Sequence, residues 1–115
     1  MGEPYVVKRL ADVAPTPCPC GSSWRILTGT DNDLVSIHRV KIAQEARKHY
    51  HKTLTEYYIV LSGNGELELD DDVVAVSPGD VVMIPPGTAH VARGELEIIN
   101  VVCPPFNPDD EHVAE

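Results

Sequence analysis

Three histidines and one glutamate lie between positions 49 and 90: His49, His51, Glu56 and His90. No other group in the chain is so rich in ligand-type side chains. Neutral imidazoles and a carboxylate are donors that first-row transition metals take from proteins, so the four make a candidate ligand set for one divalent ion. Mixed nitrogen and oxygen ligation without thiolate suits Mn, Fe, Co, Ni, Zn or Cu and does not choose among them. Four protein donors in an octahedral shell leave two positions for water, oxygen or a chelating substrate. Such an open shell belongs to catalysis rather than to structural metal binding.

The spacing sets conditions on the backbone. His49 and His51 stand at i and i+2, so on a strand both imidazoles share a face and Tyr50 points away. Glu56 follows His51 by five residues and would face the opposite way on an unbroken strand. Residues 52–55 must therefore form a turn or bulge that restores the inward direction. His90 follows Pro85-Pro86-Gly87, a rigid turn that can aim the next strand into the same cavity. Taken singly, each residue has a bland reading. A lone strand histidine is usually at the surface or hydrogen-bonded, and Glu56 beside Thr55 and two tyrosines fits an exposed strand position. The joint pattern carries the weight, because each piece falls at a fixed distance from glycine and proline markers.

The elements that must position these residues read as short strands. Pro15, Pro17, Pro19 and Gly21 make residues 14–23 a rigid, non-helical lead-in loop. A strand is expected over 23–29, then a turn at Asp31-Asn32-Asp33. Residues 34–42 alternate, with Ser36, His38, Val40 and Ile42 on one face and Val35, Ile37, Arg39 and Lys41 on the other. Residues 56–61 are rich in β-formers. Ser62-Gly63-Asn64-Gly65 reads as a hairpin turn, and Asp70–Asp72 as another. Strands over 66–69, 73–76, 81–84, 90–93 and 95–102 complete the set. Residues 43–48 have some helical propensity but are too few to form a stable helix alone. Ten or so short strands with Gly, Pro, Asn and Asp turns predict an all-β, single-domain antiparallel sandwich or barrel. The expected organisation is an N-terminal arm over 1–24, a barrel over 25–106 and an acidic tail over 107–115, mobile unless it docks.

The chain has 115 residues, of which 43% are hydrophobic, enough for one domain with a real core. A formal charge of −9 argues against nucleic acid as a partner. Arg39, Lys41, Arg47, Lys48 and Lys52 surround the histidines and form a candidate positive rim for a small anion, or else a solvated surface. No apolar run is long enough for a membrane span, and Met1–Lys8 lacks a signal pattern, so the expected setting is cytoplasmic. Cys18, Cys20 and Cys103 are too few and too irregular for a disulfide framework or a structural zinc site. Cys18 and Cys20 are expected half-buried in the Pro-rich loop, and Cys103 in the core.

Two motifs resemble those of the cupins. The first opens that family's pattern with glycine, then His-x-His, glutamate and a second glycine. Here His49-Tyr50-His51, Glu56 and Gly63 stand at the family's spacing. The second runs glycine, Pro-x-Gly, histidine, asparagine, and here Gly79, Pro85-Pro86-Gly87 and His90 fit it. Ala43 replaces the first motif's opening glycine and Gly94 the second's closing asparagine, neither of them a metal ligand in the family. The motifs cover residues 43–94. The resemblance implies a jelly-roll β-barrel, commonly a homodimer, with His49, His51, Glu56 and His90 binding one divalent metal.

Three functions fit such a site: a metal-dependent decarboxylase, isomerase or lyase on a small, oxygen-rich anion; an iron or copper dioxygenase; and a non-catalytic module binding a sugar or similar small molecule. His38 and Tyr58 are the acid–base candidates. His38 lies on the face that Ser36 shares, and Tyr58 shares the parity of Glu56. Both also fit as satisfied core residues. Arg47 is a candidate carboxylate fork at the mouth. Val60, Ile84, Val91, Ile99 and Val101 are expected in the barrel core.

Overall fold

The computed structural model describes residues 4–114. It is an antiparallel jelly-roll barrel of nine strands: β1 Thr16–Cys18, β2 Gly21–Leu27, β3 Ser36–Ile42, β4 His49–Tyr50, β5 Thr55–Leu69, β6 Asp72–Val76, β7 Val81–Ile84, β8 His90–Cys103 and β9 His112–Val113. Single 3-10 turns at Leu10–Asp12 and Pro108–Asp110 are the only helical pieces among the described residues, and no described helix is long and apolar enough to cross a membrane.

Two long strands organise the barrel. β5 has 15 residues and β8 has 14, both well beyond the usual strand length of about 5–6. They pair with each other along their whole length, from Thr55↔Cys103 to Leu69↔His90. The other edge of β5 takes β7 along its first part and β6 along its last. The other edge of β8 takes β3, and β4 at His90. Each long strand therefore changes neighbours along its length within one nine-stranded sheet, which curls around the pair.

The segment that reads locally as a hairpin turn, Ser62-Gly63-Asn64-Gly65, is strand, not turn, and all four residues pair with β8. Immediately before it, at Leu61, the register slips by one residue between Val60 and Ser62, a β-bulge. Inward residues are consequently even-numbered before the bulge (Glu56, Tyr58, Val60) and odd-numbered after it (Leu67). Without the slip, Leu67 would face solvent. The partner strand also runs on: residues 90–93 and 95–102 form one element through Gly94. The local turn signal is overridden because β8 supplies a ladder partner for every residue around the bulge.

Other expectations shift in the same way. From residue 16 on, the expected loop over 14–23 is instead a hairpin of β1 and β2, with Pro17 tolerated because β1 is an edge strand. β3 buries Ser36, His38, Val40 and Ile42, as its alternation predicts. Val60, Ile84 and Val91 are buried, but Ile99 and Val101 are not core. β8 turns Leu96, Ile98 and Val102 inward, which puts odd-numbered Ile99, Val101 and Cys103 on the outer face, half-buried. The core centres on Val40, Tyr58, Val60, Leu67, Leu96 and Ile98.

The acidic tail docks on its own barrel. β9 pairs with β4, and the Ala114 N–H donates to the Lys48 carbonyl at 3.0 Å. The Asp110 carboxylate accepts the backbone N–H groups of Lys52, Thr53 and Leu54 at 2.9, 2.9 and 3.1 Å. Burial opposes ionisation of Asp110, but these donors outweigh it and hold its carboxyl down at about 2. Because the folded value lies below the unfolded one, this stabilisation is complete above the ordinary carboxylate range and is lost as pH falls towards about 2. Urea unfolding between pH 5 and about 2 should therefore show a shallower loss of stability for Asp110→Asn than for the wild type. Parallel curves would mean that the carboxylate does not fasten the tail.

Candidate metal centre

Each candidate ligand is fixed by backbone contacts. His49 on β4 pairs in register with His90, the first residue of β8. The Gly87 N–H, in the Pro85-Pro86-Gly87 turn, donates to the His51 carbonyl at 2.7 Å and ties the two motifs together. Residues 52–54 form the bend that the spacing demands, and Asp110 satisfies their N–H groups. Glu56 then enters on β5 pointing inward, 5% exposed.

The rings converge. His49 and His51 have centroids 5.2 Å apart, His49 and His90 4.5 Å, and His51 and His90 5.4 Å. A ring nitrogen of His49, one of His51 and a carboxylate oxygen of Glu56 all lie within 4.8 Å of one another, so these three residues are positioned to bind a metal. Glu56 Oε1 lies 2.9 Å from His90 Nε2 and 3.4 Å from His51 Nδ1. Asn100 Nδ2 donates to Glu56 Oε2 at 2.7 Å and fixes the carboxylate.

The donor chemistry fits a cation. His90 Nδ1 donates to the Thr88 carbonyl at 2.9 Å, and His49 Nδ1 to the Arg47 carbonyl at 3.0 Å. This is the outer hydrogen bond typical of metal-binding histidines, and it leaves each Nε2 facing inward. Burial raises the cost of charge on Glu56, but the His90 hydrogen bond and charge and the Asn100 donor outweigh it and lower its pKa. Burial likewise opposes a charged His90, and Glu56 outweighs it and raises that pKa. Burial lowers the pKa of His51 despite Glu56. A buried carboxylate amid three imidazoles thus calls for positive charge, which a proton on His90 supplies and which a divalent ion can supply in its place.

The centre opens into a cavity of about 450 Å³. Arg25, His38, Asn100 and Tyr58 stand in register across β2, β3, β8 and β5, and all four line it. Among the described residues, two buried polar atoms have no partner, His38 Nε2 and Asn100 Oδ1, and both belong to this row. Burial and then the Arg25 charge lower the pKa of His38, which keeps the ring neutral. Burial, then the Glu56 charge, raises the Tyr58 phenol, which stays a proton donor.

Of the five expected rim cations only Arg47 lines the cavity. Arg39 pairs with Glu97 on the outer face, and Lys48 with Glu68. Arg25, which lines the cavity and lies 5.6 Å from the Phe106 ring, escaped sequence reasoning, as did Asn100 and Glu111. Pairing Arg25 with His38 across β2 and β3 was the one signal that could have found it. Cys18 and Cys20 also line the cavity, half-buried, with their sulfurs 3.0 Å apart. Burial, then the Cys18 contact, pushes the Cys20 thiol up to about 12.

Known proteins share this architecture. A protein from Planctomyces limnophilus of known structure is 34% identical, with each chain 96% covered and a TM-score of 0.89. Streptomyces Pac13, described as a unique nucleoside dehydratase, has a TM-score of 0.85 at 20% identity, with 96% of this chain and 92% of that one covered. An uncharacterized protein of Methanocaldococcus jannaschii is 31% identical over 80 residues, a match spanning 66% of this chain and 64% of that protein. The family model for the cupin domain matches residues 37–101, which include both motifs. By motif spacing, barrel topology and that match over more than half of its length, the chain belongs to the cupin family.

Proposed function

We propose that the protein is a metal-dependent enzyme that acts on a small anionic metabolite by decarboxylation, isomerisation or elimination. His49, His51, Glu56 and His90 are its proposed metal ligands. The observation that carries the reading is the pair of unpartnered polar atoms, His38 Nε2 and Asn100 Oδ1, which share one cavity with His49, Glu56 and His90. A buried polar group without a partner costs about 1–3 kcal/mol, a cost that a bound ligand relieves. A bound divalent metal would act there as a Lewis acid on an oxygen-rich substrate.

The chain's own residues then have distinct tasks. Arg25 and Arg47 draw an anion to the mouth. Asn100 Oδ1 accepts a substrate hydroxyl or N–H, since its Nδ2 is committed to Glu56. Neutral His38 takes a proton through Nε2, and Tyr58 donates one. Pac13 supports the reading only as an example of elimination chemistry on this fold.

The test is anaerobic turnover of a panel of small hydroxy and keto acids by protein loaded with each candidate metal. Turnover without oxygen is expected, falling by about 10²–10⁴-fold in His38→Ala. Turnover that consumes oxygen would replace this reading with a dioxygenase. Ligand binding indifferent to His90→Ala would replace it with a plain binding module.

The same proposal includes a homodimer. Tyr57, Ile59, Val81, Met83, Ile99 and Val101 form neighbouring rows on the outer face of β5, β7 and β8. Val81 and Met83 are 63% and 56% exposed, an apolar face of the kind that marks an interface. Sedimentation equilibrium giving a monomer at high concentration would refute it.

A further inference from the structure

The docked tail carries one more carboxylate to the metal centre. Asp110 is clamped by three backbone N–H groups on one side, and β9 pairs with β4 on the other. His112 adds a ring contact to Tyr50, with centroids 5.3 Å apart. Between these anchors Glu111 reaches over the cavity, and its Oε1 lies 3.3 Å from His49 Nε2.

That contact has a directional peculiarity. His49 Nδ1 must be the donor to the Arg47 carbonyl, because a carbonyl has no proton to give. Nε2 then faces an acceptor-only carboxylate. The contact is attractive only with a cation between the two atoms, either a second proton on the ring or a metal ion held by both. Donors about 2.1 Å from a shared metal stand about 3.0 Å apart at octahedral angles and about 3.4 Å apart at tetrahedral ones. The observed 3.3 Å falls within that interval, as does the 3.4 Å between His51 Nδ1 and Glu56 Oε1.

We propose that Glu111 is a further metal ligand, a second carboxylate delivered to the His49, His51 and Glu56 centre by the docked C-terminal segment. The inference rests on reading that centre as a metal site. Two carboxylates neutralise a divalent ion. His49, His51 and Glu56 already have donors within 4.8 Å of one another; with His90 and Glu111 drawn onto the same ion, five protein donors would leave one octahedral position open instead of two. Tail docking and metal binding then stabilise each other, so loss of the Asp110 clamp weakens metal binding at a distance.

Mn(II) affinity measured by competition with a fluorescent chelator, and the visible absorption of the Co(II) form, test this on the full chain. Loss of an outer hydrogen-bond partner lowers metal affinity by about 10–100-fold, and loss of a ligand by at least that. Glu111→Gln is therefore expected to weaken Mn(II) binding by at least about 10-fold and to change the Co(II) bands. Asp110→Asn should weaken Mn(II) binding in the same direction, and Glu95→Gln, at an exposed carboxylate outside the cavity, should leave it unchanged. A Glu111→Gln protein with wild-type affinity and an unchanged Co(II) spectrum would overturn the assignment while leaving the four-ligand site standing. A wild-type protein that binds neither ion would overturn both.

Discussion

His51→Ala is expected to abolish stable metal binding while the barrel stays folded. His51 is 3% exposed, and its Nδ1 faces Glu56 at 3.4 Å, so no solvent-borne group takes its place easily. Its structural contribution to the motif junction is its carbonyl, which accepts the Gly87 N–H, and alanine keeps that carbonyl. The side chain can thus be removed without untying the two motifs. A ligand present at about 100 times its dissociation constant stabilises the native state by about 2.7 kcal/mol, which for a domain of this size raises the melting temperature by roughly 10 °C. The wild type should show such a shift with at least one of Mn, Fe, Co, Ni, Cu or Zn, and His51→Ala should show none. Elemental analysis of the purified variant supplies the second readout. A variant that keeps full metal content would remove His51 from the ligand set.

That prediction was legible in the sequence because ligand chemistry is rare and periodic. An imidazole pair at i and i+2, a forced bend and a Pro-Pro-Gly turn leave few other arrangements once strands are assumed. The alternation around His38 was legible for the same reason: β3 has one wet and one dry face, and parity alone sorts its residues. Parity failed where strands change register or pair across distance. Ser62-Gly63-Asn64-Gly65 carries a strong local turn signal, but its conformation is dictated by β8, some thirty residues onward. Ile99 and Val101 are as apolar as Ile98 and Val102, so hydrophobicity could not say which pair faces inward.

The tail was illegible for a different reason. Asp110 binds backbone N–H groups, and backbone donors have no sequence signature. The acidic composition of residues 107–115 suggested solvation. Yet one carboxylate positioned over three free N–H groups at a bend is enough to dock the segment, and docking is what carries Glu111 to His49. Arg25 and Asn100 were missed because they joined the site only through strand pairing, which places them beside His38.

Gly63→Ala tests the close β5–β8 pairing just past the bulge. Gly63 has φ of +90°, a conformation that disfavours any side chain. A Cβ placed there would lie 2.0 Å from the Glu95 carbonyl oxygen and 3.1 Å from the Leu96 Cα, both backbone atoms of the paired strand. Neither can rotate away, so β5 and β8 would have to part just past the bulge. Backbone strain of about 1–3 kcal/mol adds to an overpacking cost of similar size, a large fraction of the roughly 5–15 kcal/mol that holds a domain together. Gly79 is the matched control. Its φ is +94°, but nothing lies within 4 Å of its would-be Cβ, so Gly79→Ala carries the strain without the clash. Urea unfolding should place Gly63→Ala well below Gly79→Ala, by roughly 2 kcal/mol or more. Equal losses would show that β8 yields freely opposite Gly63 and that a rigid β5–β8 ladder is not what overrides the local turn signal.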